Sequence, residues 1–421
     1  MVKRTRNLWE TTSKSDLVSI GTHKLFLSTS GPARAPGTPV VIFFTGGGVP
    51  VSAHIRLQAM SSSFARVYFY DRSGYDRSES SPIPHPTAAD AAAELRALLR
   101  AVKVDPPYVL AAHSYGALVA REFLNLYSSS RASVVGMVLA ESATELMYEV
   151  FPTLSDADYN TVAAGIDFVE LTHLREESKL SDEQWKAVTT AIARTEQGSK
   201  AEDTRGSGRS LAAKKQFQNQ ALDQWPLSVV RCNFPNDWRV MYEAGLKMGN
   251  GSKEQQAGAR EFVETWELFD DDLRACQLRL SGRSRYRQFT DCGHDVPVRR
   301  PEYISEEIKW VLEQLESDGI VSSVDSNDAD RQSCRQMPDP EKLRTWVDRS
   351  GSFRVAAQFI KYDDGKIHLH KHNGVHIAVP TFRFCVEDLE YVEKATGVLL
   401  NDERMVAYRA SPSSSHLDVE A

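Results

Sequence analysis

The residue type and spacing best suited to covalent chemistry lie at Ser114. An apolar stretch of strand length, Tyr108 to Ala112, runs up to this serine, and a helical apolar pattern begins at once beyond it. Ala112 and Gly116 flank the serine two residues away on either side. This is the sequence form of a nucleophile elbow. Strand and helix must nearly touch across so sharp a turn, which leaves no room for a large side chain at Ala112 or Gly116 and lifts the Ser114 hydroxyl clear of the sheet. Such a serine attacks a carbonyl only with a base to take its proton and with donors aimed at the oxyanion that forms.

Partners for the serine can be found along the chain. The run Val40 to Phe44 is continuously apolar and leads into Thr45-Gly46-Gly47-Gly48. Glycines there admit close backbone approach, so their N–H groups can point at a developing negative charge. His294 follows Tyr286 to Asp291, a short strand ending in a turn, and precedes Pro301 and a helix predicted over Tyr303 to Leu315. Serine before histidine, with those elements between them, makes His294 the candidate base. His113, beside the serine, points into the strand–helix crossing and is read as structural. Two carboxylates compete to orient the base: Glu141, after the strand Ala132 to Ala140, and Asp237, beyond a strand expected over Pro226 to Cys232. The acid must reach one imidazole nitrogen, and on that ground Glu141 is preferred, with Asp237 the alternative acid.

These side chains need a scaffold. Val18 to Ser28 reads as an opening hairpin around Gly21 that forms edge strands. Arg66 to Tyr70 is a further strand, ending in Asp71-Arg72-Ser73-Gly74, and Thr87 to Ala101 is an alanine-rich helix. Strand, glycine loop, strand, helix, strand, serine elbow, helix is βαβ alternation. Fully apolar strands need helices on both faces, so the fold class is α/β with a doubly wound, mostly parallel sheet and its site at the carboxyl ends of the strands.

Composition sets outer bounds. The chain has 421 residues, 41% of them hydrophobic, enough for one large core and a second domain. A net charge of −7 gives no general attraction to nucleic acid or to an anionic membrane surface. The basic amino end lacks the apolar stretch of a signal peptide, no apolar run reaches spanning length, and the expectation is a cytoplasmic protein with no direct membrane insertion. Five scattered cysteines without a C-x-x-C pair indicate neither a disulfide framework nor a zinc site. No cofactor and no metal are called for.

Between Leu146 and Trp225 lies a polar insertion, expected over about 146–225 as a helical cap that determines what enters the site. Helical stretches are predicted over Asp156 to Leu174 and Ser181 to Glu196, with a flexible middle at Gly198 to Gly208. Tyr159, Val162, Ile166, Val169 and Leu171 are expected to pack the cap. Lys247 to Leu280 is charged and reads as a solvated helix pair without chemistry. The first domain thus covers about 1–315, a polar linker 316–340, a second domain 341–402, and a disordered tail 403–421. In the second domain, runs at Phe353 to Ile360, Lys366 to His370 and Val375 to Val379 are separated by Asp364-Gly365 and Asn373-Gly374, strong hairpin signals. A short helix follows, from Cys385-Val386-Glu387-Asp388 to near Gly397. His368, His370 and His372 alternate, but the spacing lacks a fourth ligand and the metal reading is set aside.

The apolar strand with Thr45-Gly46-Gly47-Gly48, the strand closing on Asp71-Arg72-x-Gly74, the Ala112-His113-Ser114-Tyr115-Gly116 elbow and the late Gly293-His294 together resemble the α/β-hydrolase superfamily over roughly residues 17–315. The resemblance implies a Ser114 nucleophile, a His294 base and an oxyanion hole from the backbone N–H groups of Gly47 and Tyr115. Some members, including a subset of haloalkane dehalogenases, supply the acid from a place like that of Glu141, while most supply it from a place like that of Asp237. Thr45 departs from the histidine often found before such glycines, a change that bears on substrate fit more than on the hole.

The second domain is similar to the first homology domain of Sla-one-type endocytic actin-patch adaptors. Arg344-Thr345-Trp346-Val347-Asp348-Arg349-Ser350-Gly351-Ser352-Phe353, Gly365 to Lys371, Asn373-Gly374-Val375 and Glu387-Asp388-Leu389-Glu390-Tyr391-Val392 carry the likeness. It implies a small all-β SH3-like module that binds Asn-Pro-Phe-x-Asp sorting signals in cargo tails, at cortical or endocytic sites. Arg354, Lys366 and Lys371 are the cations placed to meet the acidic end of such a peptide. The expectation is a serine hydrolase of an ester or related acyl substrate carrying a peptide-binding module; the alternative is an endocytic or actin-cytoskeleton adaptor whose hydrolase fold is a non-catalytic platform.

Overall fold

The structure, a computed structural model, describes residues 7–130, 132–147, 156–317, 338–349, 354–363, 365–371 and 376–400. The chain divides into two units, 1–325 and 326–421. Most of the expected linker, the expected tail, His372 and the Asn373-Gly374 turn lie outside the described residues.

In the first unit β1 (Lys14–Ser19), β2 (Lys24–Ser30), β3 (Val40–Phe44), β4 (Val67–Tyr70), β5 (Tyr108–His113), β6 (Val134–Ala140), β7 (Leu227–Arg231) and β8 (Ser284–Gln288) form one sheet, in the order β1-β2-β4-β3-β5-β6-β7-β8. β1 pairs antiparallel with β2, and β2 with β4. From β4 to β8 every neighbour is parallel. Successive side chains of a strand point to opposite faces, so the continuously apolar strands feed two cores. In β3, Val40, Ile42 and Phe44 enter one core while Val41 and Phe43 enter the other. β5 divides the same way, with Leu110 and Ala112 against Val109 and Ala111.

Helices cover both faces. α1 (Ala88–Ala101) starts at Thr87, whose side chain accepts from the Asp90 N–H while Asp90 reaches back, a reciprocal cap. With α2 (Gly116–Asn125) it packs Leu95, Leu99, Leu118 and Phe123 on one face. The insertion contributes α3 (Asp182–Ala201) and α4 (Thr204–Ala212). After β7 come α5 (Phe234–Met248) and α6 (Lys253–Ala275), and α7 (Pro301–Ser317) covers the second face with Ile304, Ile308, Val311 and Leu315. Among the described residues no helix is long and apolar enough to cross a membrane.

Three expectations for the first unit are corrected. Gly198 to Gly208 is not a flexible middle: it is largely helical, and Gly198 lies so close to Gly74 that a Cβ there would stand 2.4 Å from the Gly74 carbonyl oxygen. Glycine serves close approach at that point. Lys247 to Leu280 is not a solvated pair, because α6 buries Phe262, Val263, Trp266, Asp270, Leu273 and Arg274. In the insertion Tyr159 and Val162 are buried as expected, but Leu171 is 36% exposed.

In the second unit β9 (Leu343–Val347), β10 (Arg354–Asp363), β11 (Lys366–Lys371) and β12 (His376–Pro380) pair antiparallel in the order β12-β11-β10-β9. α8 (Val386–Thr396) ends at Gly397 in the left-handed region. Trp346 is fully buried and donates its indole N–H to the Ala357 carbonyl at 2.9 Å. Asp388 on α8 accepts from the Val347 N–H and pairs with Arg344, tying helix to sheet. Arg354 and Lys366 are exposed. Lys371 is a correction: it is 5% exposed, and burial lowers its ammonium below the usual value.

Candidate active site

Ser114 leaves β5 with φ 51°, in the left-handed region, and α2 starts two residues later. The turn is as crowded as the elbow pattern requires: a Cβ on Gly116 would lie 2.4 Å from the Phe44 carbonyl oxygen and 2.6 Å from that of Thr45. Both obstacles are backbone and cannot rotate away. Gly116→Ala is therefore expected to destabilise the fold by about 1–3 kcal/mol, the range for overpacking a filled core, as a lowered denaturation midpoint in urea.

The Ser114 hydroxyl meets His294 Nε2 at 3.0 Å. His294 sits in the loop after β8, and its peptide is held on both sides. Its N–H donates to Asp237 Oδ2 at 2.7 Å, and its carbonyl accepts from His113 Nε2 at 2.8 Å. The carbonyl partner requires the proton of His113 on Nε2, and complete burial pushes that imidazole well below its ordinary pKa, so it stays neutral. Phe234, at the start of α5, stacks on the His294 ring at 4.2 Å between centroids and 29° between planes. Gly293 must be small, because a Cβ there would stand 2.1 Å from the Asp237 carboxylate.

The two acids are distinct in place. Glu141, just past β6 with φ 46°, puts Oε2 3.7 Å from His294 Nδ1. It is fully buried, and its Oε1 accepts from the Cys232 N–H. Burial pushes its carboxyl up, but Arg274, His294 and the Cys232 N–H outweigh that and leave the pKa below the ordinary value. Asp237, in the first turn of α5, meets the backbone of His294.

Two groups of supporting residues were not legible as such. Arg274 of α6, 1% exposed, lies 3.3 Å from Glu141 Oε2 and 3.1 Å from Asp270 Oδ1, and donates to the Ser142 carbonyl at 2.7 Å. Arg72, 2% exposed, donates to the carbonyls of Thr45 at 2.6 Å and Gly46 at 3.0 Å. Its own partner is Glu202, from the joint between α3 and α4, at 2.7 Å. The Gly48 N–H is taken by the Tyr75 hydroxyl at 2.9 Å. Among the described residues, the N–H groups of Gly47 and Tyr115 meet no protein acceptor.

Comparison with known proteins gives two family matches. The Alpha/beta hydrolase family matches residues 41–307, and SLA1 homology domain 1 matches residues 334–400. A Gibberella zeae protein named AB hydrolase superfamily protein is 30% identical over 322 residues, covering 73% of this chain and 98% of that protein. A Hormonema carpetanum protein named probable transporter efuK is also 30% identical over 322 residues, but this chain spans only 45% of its length. The second unit matches the actin cytoskeleton-regulatory complex protein sla1 of Sclerotinia sclerotiorum at 58% identity over 72 residues, 17% of this chain and 6% of that protein.

Proposed function

The chain belongs to the alpha/beta hydrolase family and carries a SLA1 homology domain 1, and from that premise we propose that its first unit is a serine hydrolase of an ester or related acyl substrate. The observation that carries this reading is the 3.0 Å contact between the Ser114 hydroxyl and His294 Nε2 at a left-handed elbow. In the proposed cycle His294 Nε2 takes the proton of Ser114 as its oxygen bonds to the acyl carbon. The carbonyl oxygen becomes an oxyanion that accepts from the N–H groups of Gly47 and Tyr115. Collapse of that intermediate breaks the bond to the leaving oxygen, which departs with the proton from His294. Water then attacks the acyl-enzyme and gives its proton to the same nitrogen, and collapse of the second intermediate breaks the acyl–oxygen bond, returns that proton from His294 to Ser114 and releases the acid. Glu141, charged and buried beside Nδ1, stabilises the imidazolium formed in each half. A fluorophosphonate probe tests the reading, since only an activated serine displaces its leaving group. Labelling of Ser114 in the wild-type chain, mapped by mass spectrometry, is the expected result.

We propose for the second unit the recognition of Asn-Pro-Phe-x-Asp peptides, and hence the small acyl substrate and the sorting peptide as separate partners of one chain. Of the three cations expected to meet the acidic end of the peptide, Arg354 and Lys366 are exposed, which supports the reading for them, while Lys371 is buried and is left out of it. A surface charge contact is screened over about 10 Å at 0.1 M salt. Binding of a labelled peptide to the full chain should thus weaken with added salt, and Arg354→Ala with Lys366→Ala should remove most of that salt dependence. A titration in which the peptide does not bind at any salt concentration would count against this part.

A further inference from the structure

The insertion does more than border the site. We infer that Glu202, at the joint between α3 and α4, is a positioning residue for the oxyanion loop and acts through Arg72. This rests on the reading of Gly47 as an oxyanion donor.

The carbonyl of Gly46 and the N–H of Gly47 belong to one planar trans peptide, so they point in opposite directions. Arg72 holds that carbonyl at 3.0 Å, and the preceding one, of Thr45, at 2.6 Å. Pinning the oxygen ends of these peptides aims the Gly47 N–H away from the guanidinium. The neighbouring Gly48 N–H is diverted to the Tyr75 hydroxyl, which accepts it at 2.9 Å and donates onward to Glu202 Oε2 at 2.8 Å. Arg72 and Glu202 side chains are 2% and 6% exposed, and Glu202 is the one carboxylate paired with Arg72 among the described residues. A buried guanidinium without its counter-charge would be strongly unfavourable, so the orientation of Arg72 depends on Glu202.

The other proposed donor leans on the same joint. The Tyr115 hydroxyl lies 3.2 Å from Ser207 Oγ in α4, and the Arg72 guanidinium sits over the Tyr115 ring at 5.2 Å. Ser207 also accepts from the Ala88 N–H at 2.8 Å, while the Asp203 N–H donates to the Pro86 carbonyl at 3.0 Å. Gly198 and Gly74 meet backbone to backbone. A segment held by a buried ion pair, four hydrogen bonds and a glycine–glycine contact is a fixed wall of the site.

The test compares variants in turnover of p-nitrophenyl butyrate and in the rate of fluorophosphonate labelling. Glu202→Gln keeps the shape but removes the charge. It is expected to lower kcat by about ten- to a hundredfold, the cost of displacing a catalytic group by an ångström or less, with KM changed by less than about threefold. Arg194→Ala breaks a different contact of α3 with the sheet domain, the pair that half-exposed Arg194 makes with the buried Asp76 side chain, and is expected to leave kcat within about twofold, since Asp76 keeps Arg77 beside it. If Glu202→Gln alone does not fold, Glu202→Gln with Arg72→Met leaves no unpaired buried charge and should show the same loss of kcat. A folded variant of either kind with wild-type kcat overturns the inference. An equal loss in Arg194→Ala also overturns it, because general docking of the insertion would then be responsible. A wild-type chain that neither turns over nor labels sinks the hydrolase reading itself and takes this inference with it.

Discussion

Replacing Ser114 by alanine is expected to lower turnover by about 10⁶-fold, the loss seen when the nucleophile of a working triad is deleted. The fold should remain, because among the described residues the hydroxyl makes its hydrogen bond with His294 alone, and both residues are partly exposed. Alanine bears the left-handed φ of 51° no worse than serine does. Residual activity of about 10³–10⁴ over the uncatalysed reaction would then come from the oxyanion donors and substrate binding, which the substitution leaves in place. Intact mass after fluorophosphonate treatment gives an independent measure: wild type gains one adduct and Ser114→Ala gains none. An adduct of equal yield on the variant would place the reactive nucleophile elsewhere, and no adduct on either chain would favour a chain whose hydrolase fold serves only as a platform.

What the sequence makes legible follows the range of the interactions concerned. The apolar strands β3, β5 and β6, the reciprocal cap of Thr87 and Asp90, and the crowding around Gly116 are set within a few residues, and a period or a small side chain marks each. Arg274 and Glu202 are different. Arg274 meets Glu141 across 133 positions, and Arg72 meets Glu202 across 130, so no local pattern announces either pair. A signal does exist for the first. Phe262, Trp266, Asp270 and Arg274 are spaced by four along α6, which puts two opposite charges on the stripe that the aromatics bury. Charged residues on an apolar stripe must be paired, and that conflict, rather than overall charge, was the indicator that α6 approaches the site.

The composition of Gly198 to Gly208 misleads for a related reason. Glycine, serine, lysine and arginine suggest flexibility, yet the Ser181–Gln184 cap starts α3, Asp203 caps α4, and the glycine at 198 allows backbone contact with Gly74. A residue that lowers helix propensity was retained for packing. The propensity cost of a glycine, about 1 kcal/mol, is smaller than the gain from docking a helix on a sheet domain. The same logic applies to Lys371, whose charge suggested a surface role but whose place on β11 buries it.

The largest remaining difference is expected between the two acids. Glu141→Gln keeps the shape but removes the charge beside His294 Nδ1, and turnover should fall by about 10⁴-fold, as in a serine protease whose triad aspartate becomes an amide. Asp237→Asn keeps an oxygen to accept the His294 N–H, so turnover should stay within about threefold. Stability separates them as well. Burial pushes the Asp237 carboxyl up to about 6 although the His294 N–H pulls it down. Between the usual carboxylate value of about 4 and about 6, the folded chain holds a proton there that the unfolded chain has released, so this contribution to stability falls as pH rises through that window. Asp237→Asn should flatten that part of the stability curve and be no less stable at neutral pH. Glu141 has the opposite sign: burial raises its carboxyl, the charges of Arg274 and His294 outweigh burial, and its contribution is present above the usual value and lost as pH falls through the lowered one. Glu141→Gln should therefore lose stability at neutral pH together with activity. A variant pair in which Asp237→Asn loses turnover while Glu141→Gln stays near wild type would assign the acid to Asp237 and make Glu141 the structural counter-charge of Arg274.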